Sequence, residues 1–497
     1  MNDVLKRKLV NYYKNQDAEY TLDDITFNDL NLDELFERMN RTSSSLGEEV
    51  LYSILRQPLY DIDELNSREE QIRLYCENNE LRNKTQKSLR YLSKVKKYSI
   101  FEYLYCLNNV KQISFGGKFL ALILILLCAA IIPFNVVAGV IALIVVFVIN
   151  ALRYFRLRDE ISPYLICVSY VLKSISVGKN IDGTDPELYS KIKNIKNASF
   201  ILGNISGATV HGGSGNPLDL VIDILKMGLH IDIIAFYHLL KEVQFNKDNI
   251  EKYLISLGTI DAYISIGIWR GENKDKWCLP VFKDNDSKPE IKACAHPLID
   301  NPVTNDVSVN RGVLLTGSNA SGKSTFLRSV ALNVIMAQTV HTCFAKSYEA
   351  PLYKVITSMS ISDNLLKGDS YYMAEVKALK RIMDIVSSEK KYNVMTFVDE
   401  VLRGTNTKER IASSTQILKY LSDNALSFAA THDIELTELL KEEYDNYHFS
   451  ENVVGDDISF SYLIKEGPAN SQNAIKLLLL MGFPNEIIDN AIKSITN

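Results

Sequence analysis

The sequence has no Cys-x-x-Cys pair, no apolar stretch behind its basic amino terminus, no net positive charge and no internal repeat or low-complexity tract. Each absence removes a class of protein. The seven cysteines, at 76, 106, 128, 167, 278, 294 and 343, are scattered, which argues against a zinc site and a disulfide framework and fits a reducing compartment. The opening MNDVLKRKLVNYYKNQD lacks the apolar core of a signal peptide. A net charge of −5 supplies no bulk field for nucleic acid, so such a partner requires a local basic patch. The densest positive run is KTQKSLRYLSKVKK, Lys84 to Lys97, a composition found more often on a solvated helix face than at phosphates. What is present is an ordinary globular balance, 46% hydrophobic and 23% charged over 497 residues. That length suggests about three folding units.

One stretch breaks the balance. FLALILILLCAAIIPFNVVAGVIALIVVFVI, from Phe119 to Ile149, contains no charged residue. It is too long for one comfortable crossing of about 20 residues. Pro133-Phe134-Asn135 is turn chemistry and divides it into two arms, the second running from Phe134 to Leu152 and the first reaching back toward Ile113 with Lys118 snorkelling. Lys111 and Lys118 precede it, and Arg153, Arg156 and Arg158 follow. Basic residues at both ends place both ends in the cytoplasm and require an even number of crossings. The expectation is a transmembrane helical hairpin over 113–152. A buried hairpin inside a soluble domain is the competing reading, disfavoured because buried soluble helices rarely run this long without a polar face. The flanks, 30–110 and 160–268, carry helical spacing. HGGSGNPLD at 211–219 lacks a strand before it and a helix after it, so it reads as a surface loop.

The chemistry lies further on. Gly317-Ser318-Asn319-Ala320-Ser321-Gly322-Lys323-Ser324 matches G-x-x-x-x-G-K-[ST], behind the apolar strand Val313-Leu314-Leu315 and ahead of the helical pattern TFLRSVALNVIMAQ, which begins at Thr325. In that context backbone N–H groups cradle phosphates at a helix N-terminus, Lys323 neutralises the β/γ charge and the Ser324 hydroxyl ligates Mg²⁺. About 75 residues beyond Ser324, the strand NVMTFVDE ends in Asp399-Glu400, an aspartate placed to hold Mg²⁺ through water and a glutamate placed to polarise the attacking water. His432 follows another apolar strand, Leu426 to Ala430, and is delivered to the same edge.

LLTGSNASGKSTFLRSVAL, DNLLKGDSYYMAEV, VDEVLRGTNTKE and FAATHDIELTEL, in this order and spacing, resemble the ATPase domain of the MutS family of DNA mismatch-repair proteins. TSSSLGEEVLYSILRQPLYDIDELNSREEQI (42–72) resembles the start of that family's helical lever domain, and LGTIDAYISI (257–266) its end. HPLID (296–300) resembles the lead-in to the ATPase, and FSYLIKEGPANSQNAIKLLLLMGFPNEIIDNA its tail. The resemblance implies an ABC-type arrangement in which two subunits sandwich ATP with Mg²⁺. Ser370 would then reach the partner's γ-phosphate, Glu400 would activate water and His432 would sense the γ-phosphate. Arg403, Gly404, Thr405, Asn406 and Thr407 would couple the two sites. Two departures stand out: Ala337 to Ala345 lacks the glycine and proline usual there, and SQNAI (471–475) replaces a common tyrosine–glycine pair.

The resulting expectation is an α/β ABC-type P-loop ATPase domain (271–497) after a mostly α-helical lever domain. Its halves, 1–112 with an N-terminal segment and 153–270, flank the hairpin. About 30 residues precede the lever and the chain ends just past the ATPase, so neither mismatch-reading and connector domains nor an added nuclease are expected, and no Phe-x-Glu wedge occurs. The hairpin stands where the family's DNA clamp is inserted. The expected protein is a membrane-anchored homodimeric ATPase, multi-pass through two helices with its soluble domains in the cytoplasm. It is DNA-binding and linked to repair, or alternatively a mechanochemical ATPase acting on membrane or protein partners. An ABC exporter is a third and disfavoured reading, because one hairpin per subunit offers too few helices to enclose a path.

Overall fold

The computed structural model describes residues 3–16, 18–110, 115–181, 183–195, 224, 227–318, 321–359, 371–402, 404–454, 457–469 and 482–496. The fold is mixed α/β. Contacts divide the chain into two compact units, one of Met1–Asp17, Met39–Ser53 and Gln71–Trp269, the other of Ala18–Arg38, Ile54–Glu70 and Arg270–Asn497.

The second unit holds the sheets. Its strands are β1 (Pro280–Phe282), β2 (Glu290–Cys294), β3 (Asn305–Ser308), β4 (Gly312–Thr316), β5 (Ser347–Ala350), β6 (Tyr353–Ser358), β7 (Asn393–Asp399), β8 (Leu426–Ala430), β9 (Tyr444–Val454) and β10 (Asp457–Glu466). A small sheet runs β1-β5-β2-β3, and a larger one runs β10-β9-β4-β8-β7-β6. In the larger sheet β9, β8, β7 and β6 all lie parallel to their neighbours, and only β10 is antiparallel. Every residue of β4 is buried, as a parallel strand covered on both faces requires. Leu314, Ile356, Val398 and Ala429 from four strands pack with Leu418, Leu421, Ile382 and Val386 from two covering helices, Thr407–Asn424 and Tyr371–Ser388.

An amino-terminal segment completes this unit. In the helix Asp24–Asp29, the buried Asp29 carboxylate accepts from Thr357 Oγ1 at 2.7 Å and Met359 N at 2.9 Å, at the exit of β6. Its carbonyl accepts from Arg328 Nε at 2.9 Å. These bonds, spanning 299 to 330 positions, explain why residues 18–38 belong with the sheet.

The first unit is helical. The two quoted segments around 42–53 and 257–266 meet within it. Asp261, fully buried in the helix Lys247–Glu272, accepts from Ser43 N at 3.0 Å, Ser44 N at 2.8 Å and Ser44 Oγ at 2.6 Å. Beside it Gly258 lets the helices close: a Cβ there would stand 2.8 Å from the Leu46 carbonyl oxygen. Lys94, from the basic run, is exposed yet paired. Its Nζ lies 3.0 Å from Glu48 Oε1, while Lys8 Nζ takes Glu48 Oε2 at 3.0 Å.

The apolar run folds as two antiparallel helices, Phe115–Ala129 and Val136–Gly178, with Asn135 Oδ1 capping the second through Ala138 N at 3.0 Å. Among the described residues one helix, Val136–Gly178, is long and apolar enough to cross a membrane. At fifteen residues the other is about 22 Å long, short of the roughly 30 Å hydrocarbon core. Their apolar surface is open: Phe134 is 91% exposed, Val137 69% and Leu152 68%. At the base, Asn150 Nδ2 donates to Ala121 O and Gly228 O, both at 3.1 Å, and Tyr154 OH donates to Asp232 Oδ2 at 2.7 Å.

A buried carboxyl in the helical unit gives a pH signature. Burial, only partly offset by the Lys8 charge and the hydrogen bonds from Ser99 and the Ile100 N–H, raises Glu49 from 4.5 to about 7. The folded chain therefore holds this proton to higher pH than the unfolded chain. The contribution is fully present below pH 4.5 and is lost as pH rises through about 7. Denaturant titrations should show a loss of about 3 kcal/mol over that window, absent in Glu49→Gln. A Glu49→Gln variant with the wild-type slope would assign the slope to other groups.

Candidate functional site

Strand β4 ends at Thr316 and the chain enters the helix Lys323–Thr339, here termed the loop helix. Two glycines make the turn possible. Gly317 (φ 135°) and Gly322 (φ 110°) occupy the left-handed region, and a Cβ on Gly317 would lie 2.9 Å from Phe449 O. Ser321 Oγ donates to Ser318 O at 2.8 Å, closing the loop on itself. Lys323 is buried, and its Nζ lies across the loop, donating to Gly317 O at 2.6 Å and Ser318 O at 2.8 Å. Asn319 and Ala320 lie outside the described residues.

Two further parallel strands, β7 and β8, deliver the remaining groups to the same edge. Asp399 is the last residue of β7, and its carboxylate accepts a hydrogen bond from Ser324 Oγ. Glu400 follows with φ 63° and donates its N–H to Ala430 O, the end of β8, at 2.9 Å. Beyond β8, Thr431 N donates to Leu315 O at 2.9 Å, and His432 Nε2 comes 2.7 Å from Glu400 Oε1. Arg410 grips Asp433 through Nε–Oδ2 at 2.8 Å and Nη2–Oδ1 at 2.6 Å, which steadies the turn carrying His432. The structure thus gathers Gly317, Ser318, Ser321, Gly322, Lys323, Ser324, Asp399, Glu400 and His432 at the carboxyl ends of β4, β7 and β8. Strand order reverses about β4, the position where open α/β sheets bind ligands.

Other positions singled out in the sequence divide. Asn406 Oδ1 caps the helix Thr407–Asn424 by accepting from Glu409 N at 3.0 Å, and Gly404 N donates to Glu375 Oε2 at 3.3 Å. Ser370, Arg403 and the stretches 211–219 and 471–475 lie outside the described residues.

The structure adds a cavity of about 390 Å³ beside the loop, lined among others by His296, Val303, Asn305, Thr325, Phe449 and Tyr462. Tyr462 reaches it because the β9–β10 register shifts between Phe460 and Ile464, leaving Tyr462 at φ 54° with its ring 3.1 Å from a Cβ built on Gly322. Burial, with the nearby charges of Arg328 and Arg38, lowers His296 to about 4, so its ring is neutral at physiological pH. Sequence reading assigned no role to His296, Val303, Phe449 or Tyr462. The HPLID lead-in and FSYLIKEG tail were the only signals, and neither shows that a bulge turns one tyrosine toward the loop.

Residues 313–497 match the family model MutS domain V. The chain is 31% identical over 272 residues to a DNA mismatch repair protein MutS of Fusobacterium nucleatum, an alignment covering 52% of this chain and 30% of that protein. A DNA mismatch repair protein MutS of Acetivibrio thermocellus is 31% identical over 251 residues, 48% of this chain and 28% of the relative. One of Lactobacillus acidophilus is 28% identical over 289 residues, 55% and 33%. The chain thus spans about a third of the length of these relatives. Residues 313–497 thus match MutS domain V, and about half of the chain is similar to DNA mismatch repair proteins MutS.

Proposed function

We propose that this chain is a membrane-anchored MutS-like ATPase that hydrolyses ATP to ADP and phosphate across a dimer interface, within an ABC-type P-loop fold. The observation that carries the reading is the gathering of Lys323, Ser324, Asp399, Glu400 and His432 on one sheet edge, next to a cavity of about 390 Å³. N–H groups at the start of the loop helix receive the phosphates, and Lys323 exchanges the Gly317 and Ser318 carbonyls for phosphate oxygens. Ser324 and Asp399 are hard oxygen donors in mutual contact, which suits Mg²⁺; bound there, it neutralises phosphate charge. Glu400 orients water and takes its proton as the oxygen attacks the γ-phosphorus and the bond to the β-phosphate oxygen breaks. His432 holds the Glu400 carboxylate and faces the γ-phosphate, and Ser370 of a second subunit closes the site. The nucleotide base lies against Tyr462 in the cavity.

The hairpin anchors the chain, with both flanks in the cytoplasm and the helical unit acting as a lever. Open apolar surface on Val136–Gly178 supports this reading, and the shorter arm is accommodated by local thinning and by Lys118 at the interface. Because the similar proteins are DNA mismatch repair proteins, DNA is the proposed partner, contacted without mismatch reading. One observation favours a second reading, action on membrane or protein partners: Lys94 of the basic run is already paired with Glu48.

The catalytic reading is tested by Glu400→Gln, which should bind ATP normally and lose turnover by at least about a hundredfold. Unchanged turnover removes Glu400 from the mechanism. Duplex DNA should stimulate wild-type turnover in detergent, with an effect that falls steeply with salt; stimulation by lipid alone selects the second reading.

The anchor is tested in a cysteine-free background carrying single cysteines at Ser114, Asn135 or Arg158. Those at 114 and 158 should react only after permeabilisation, and the one at 135 should react from outside or stay shielded. Opposite-side labelling of 114 and 158 means a single span and overturns the hairpin.

A further inference from the structure

The amino-terminal helix Asp3–Tyr13 carries Val4, Arg7, Lys8 and Asn11 at spacings of three and four, which is one face of a helix. That face lines a cavity of about 300 Å³ within the helical unit, and the other wall carries Lys97, Tyr98, Glu102 and Tyr103. Lys8 is 3% exposed, and its three N–H groups are spent on Ser45 Oγ at 3.2 Å, Glu48 Oε2 at 3.0 Å and Val95 O at 3.2 Å. Its charge is not spent. Glu48 also serves Lys94 at 3.0 Å, so two ammonium groups share one carboxylate. Arg7 and Lys97, both exposed, add positive charge at the rim against the carboxylate of Glu102. Glu49, which burial raises to about 7, offsets only part of this excess. Tyr98 and Tyr103 meet edge to face with ring centroids 5.4 Å apart, and Tyr164 braces Tyr103 in the same way at 5.3 Å. Lys97 Nζ lies 5.3 Å from the Tyr98 ring centroid.

We propose that this cavity binds a small diffusible phosphomonoester carrying a flat ring, of about the size of a nucleoside monophosphate. Arg7 and Lys97 take the phosphate, and Tyr98 and Tyr103 take the ring. A phosphomonoester carries about −1.5 to −2 charges at neutral pH, which the positive excess matches and a cationic ligand would oppose. The planar fork of Arg7 suits two phosphate oxygens at once. The volume stands at the small end of ligand sites, which run roughly 300–1,000 Å³, so it admits one ring and one phosphate and not a polymer. A lipid headgroup has the same phosphate chemistry, but depth opposes it. Tyr164, behind Tyr103, lies beyond Leu152 on the helix Val136–Gly178 by about 18 Å. The headgroup layer outside the hydrocarbon core is only about 5–7 Å thick on each side. This depth argument rests on the membrane anchor proposed above, whereas the site itself rests on neither the anchor nor the ATP reading. The basic run thereby gains a role, with Lys94 adding charge behind the cavity and Lys97 facing the ligand.

The test uses the full chain in detergent carrying Lys323→Ala, which weakens nucleotide binding at the loop so that the helical unit reports. Equilibrium binding is measured with AMP, adenosine, ribose 5-phosphate and a short-chain phosphatidic acid. AMP should bind at least about tenfold more tightly than adenosine, which lacks the phosphate, and than ribose 5-phosphate, which lacks the flat ring. Arg7→Gln with Lys97→Gln, both at exposed positions, should weaken AMP binding at least about tenfold. Glu102→Gln removes the opposing carboxylate and should tighten it about threefold, a gain that a scaffold residue would not produce and that decides the matter if the double variant fails to fold. Absence of AMP binding, or AMP binding that none of these substitutions moves, overturns the site. Equal affinity for AMP and ribose 5-phosphate removes the tyrosines from it, and binding of phosphatidic acid alone overturns the diffusible ligand.

Discussion

Strand β4 must be covered on both faces and paired along both edges, and the rest of the sheet-bearing unit is arranged to satisfy that demand. Its five residues are all buried between β9 and β8. An apolar strand with no solvent face leaves its backbone only the ladder, so its neighbours must lie in register and its end must emerge at the sheet edge. That emergence places Gly317 and the loop helix. Because β7 and β8 run parallel to it, Asp399, Glu400 and His432 emerge on the same side. The contact of Ser324 with Asp399 follows from strand direction as much as from side-chain chemistry.

Within each unit, distant segments are joined by single buried polar residues with several partners. Asp29 gathers Thr357 and Met359, Asp261 gathers Ser43 and Ser44, and Arg270 gathers Glu69, Thr342 and two carbonyls. Unpaired, each group would be costly to bury; paired, each selects one register of approach. Apolar contact alone tolerates sliding. These residues do not, which gives a molecule built on long helices defined joints.

The hairpin obeys the opposite rule. Its helices leave most of their apolar surface open, and its polar contacts gather at the base through Asn150, Tyr154 and Asp232. A soluble helix of this length hides one face and wets the other. Here no face is wet by composition, and an apolar surface left this open marks an interaction site.

Much of the site was legible in the sequence, because a glycine-rich turn between an apolar strand and a helix has few other uses and its lysine and serine stand at fixed offsets. Local chemistry also marked the hairpin: Pro133 and Asn135 break a charge-free run, and Asn135 caps the second helix. What sequence could not reach was decided by packing. The docking of residues 18–38 on β6 depends on bonds spanning over 300 positions. The pairing of Lys94 depends on Glu48, 46 residues away. Tyr462 faces the cavity only because one register shift turns its backbone, and His341 meets Glu69 only because the end of the loop helix lies beside the middle of the helix Ile62–Glu77. Residue type, spacing and local turn chemistry were determined along the chain. Which distant partner satisfies each buried polar group was decided only in three dimensions, because that satisfaction depends on neighbours brought close by the fold.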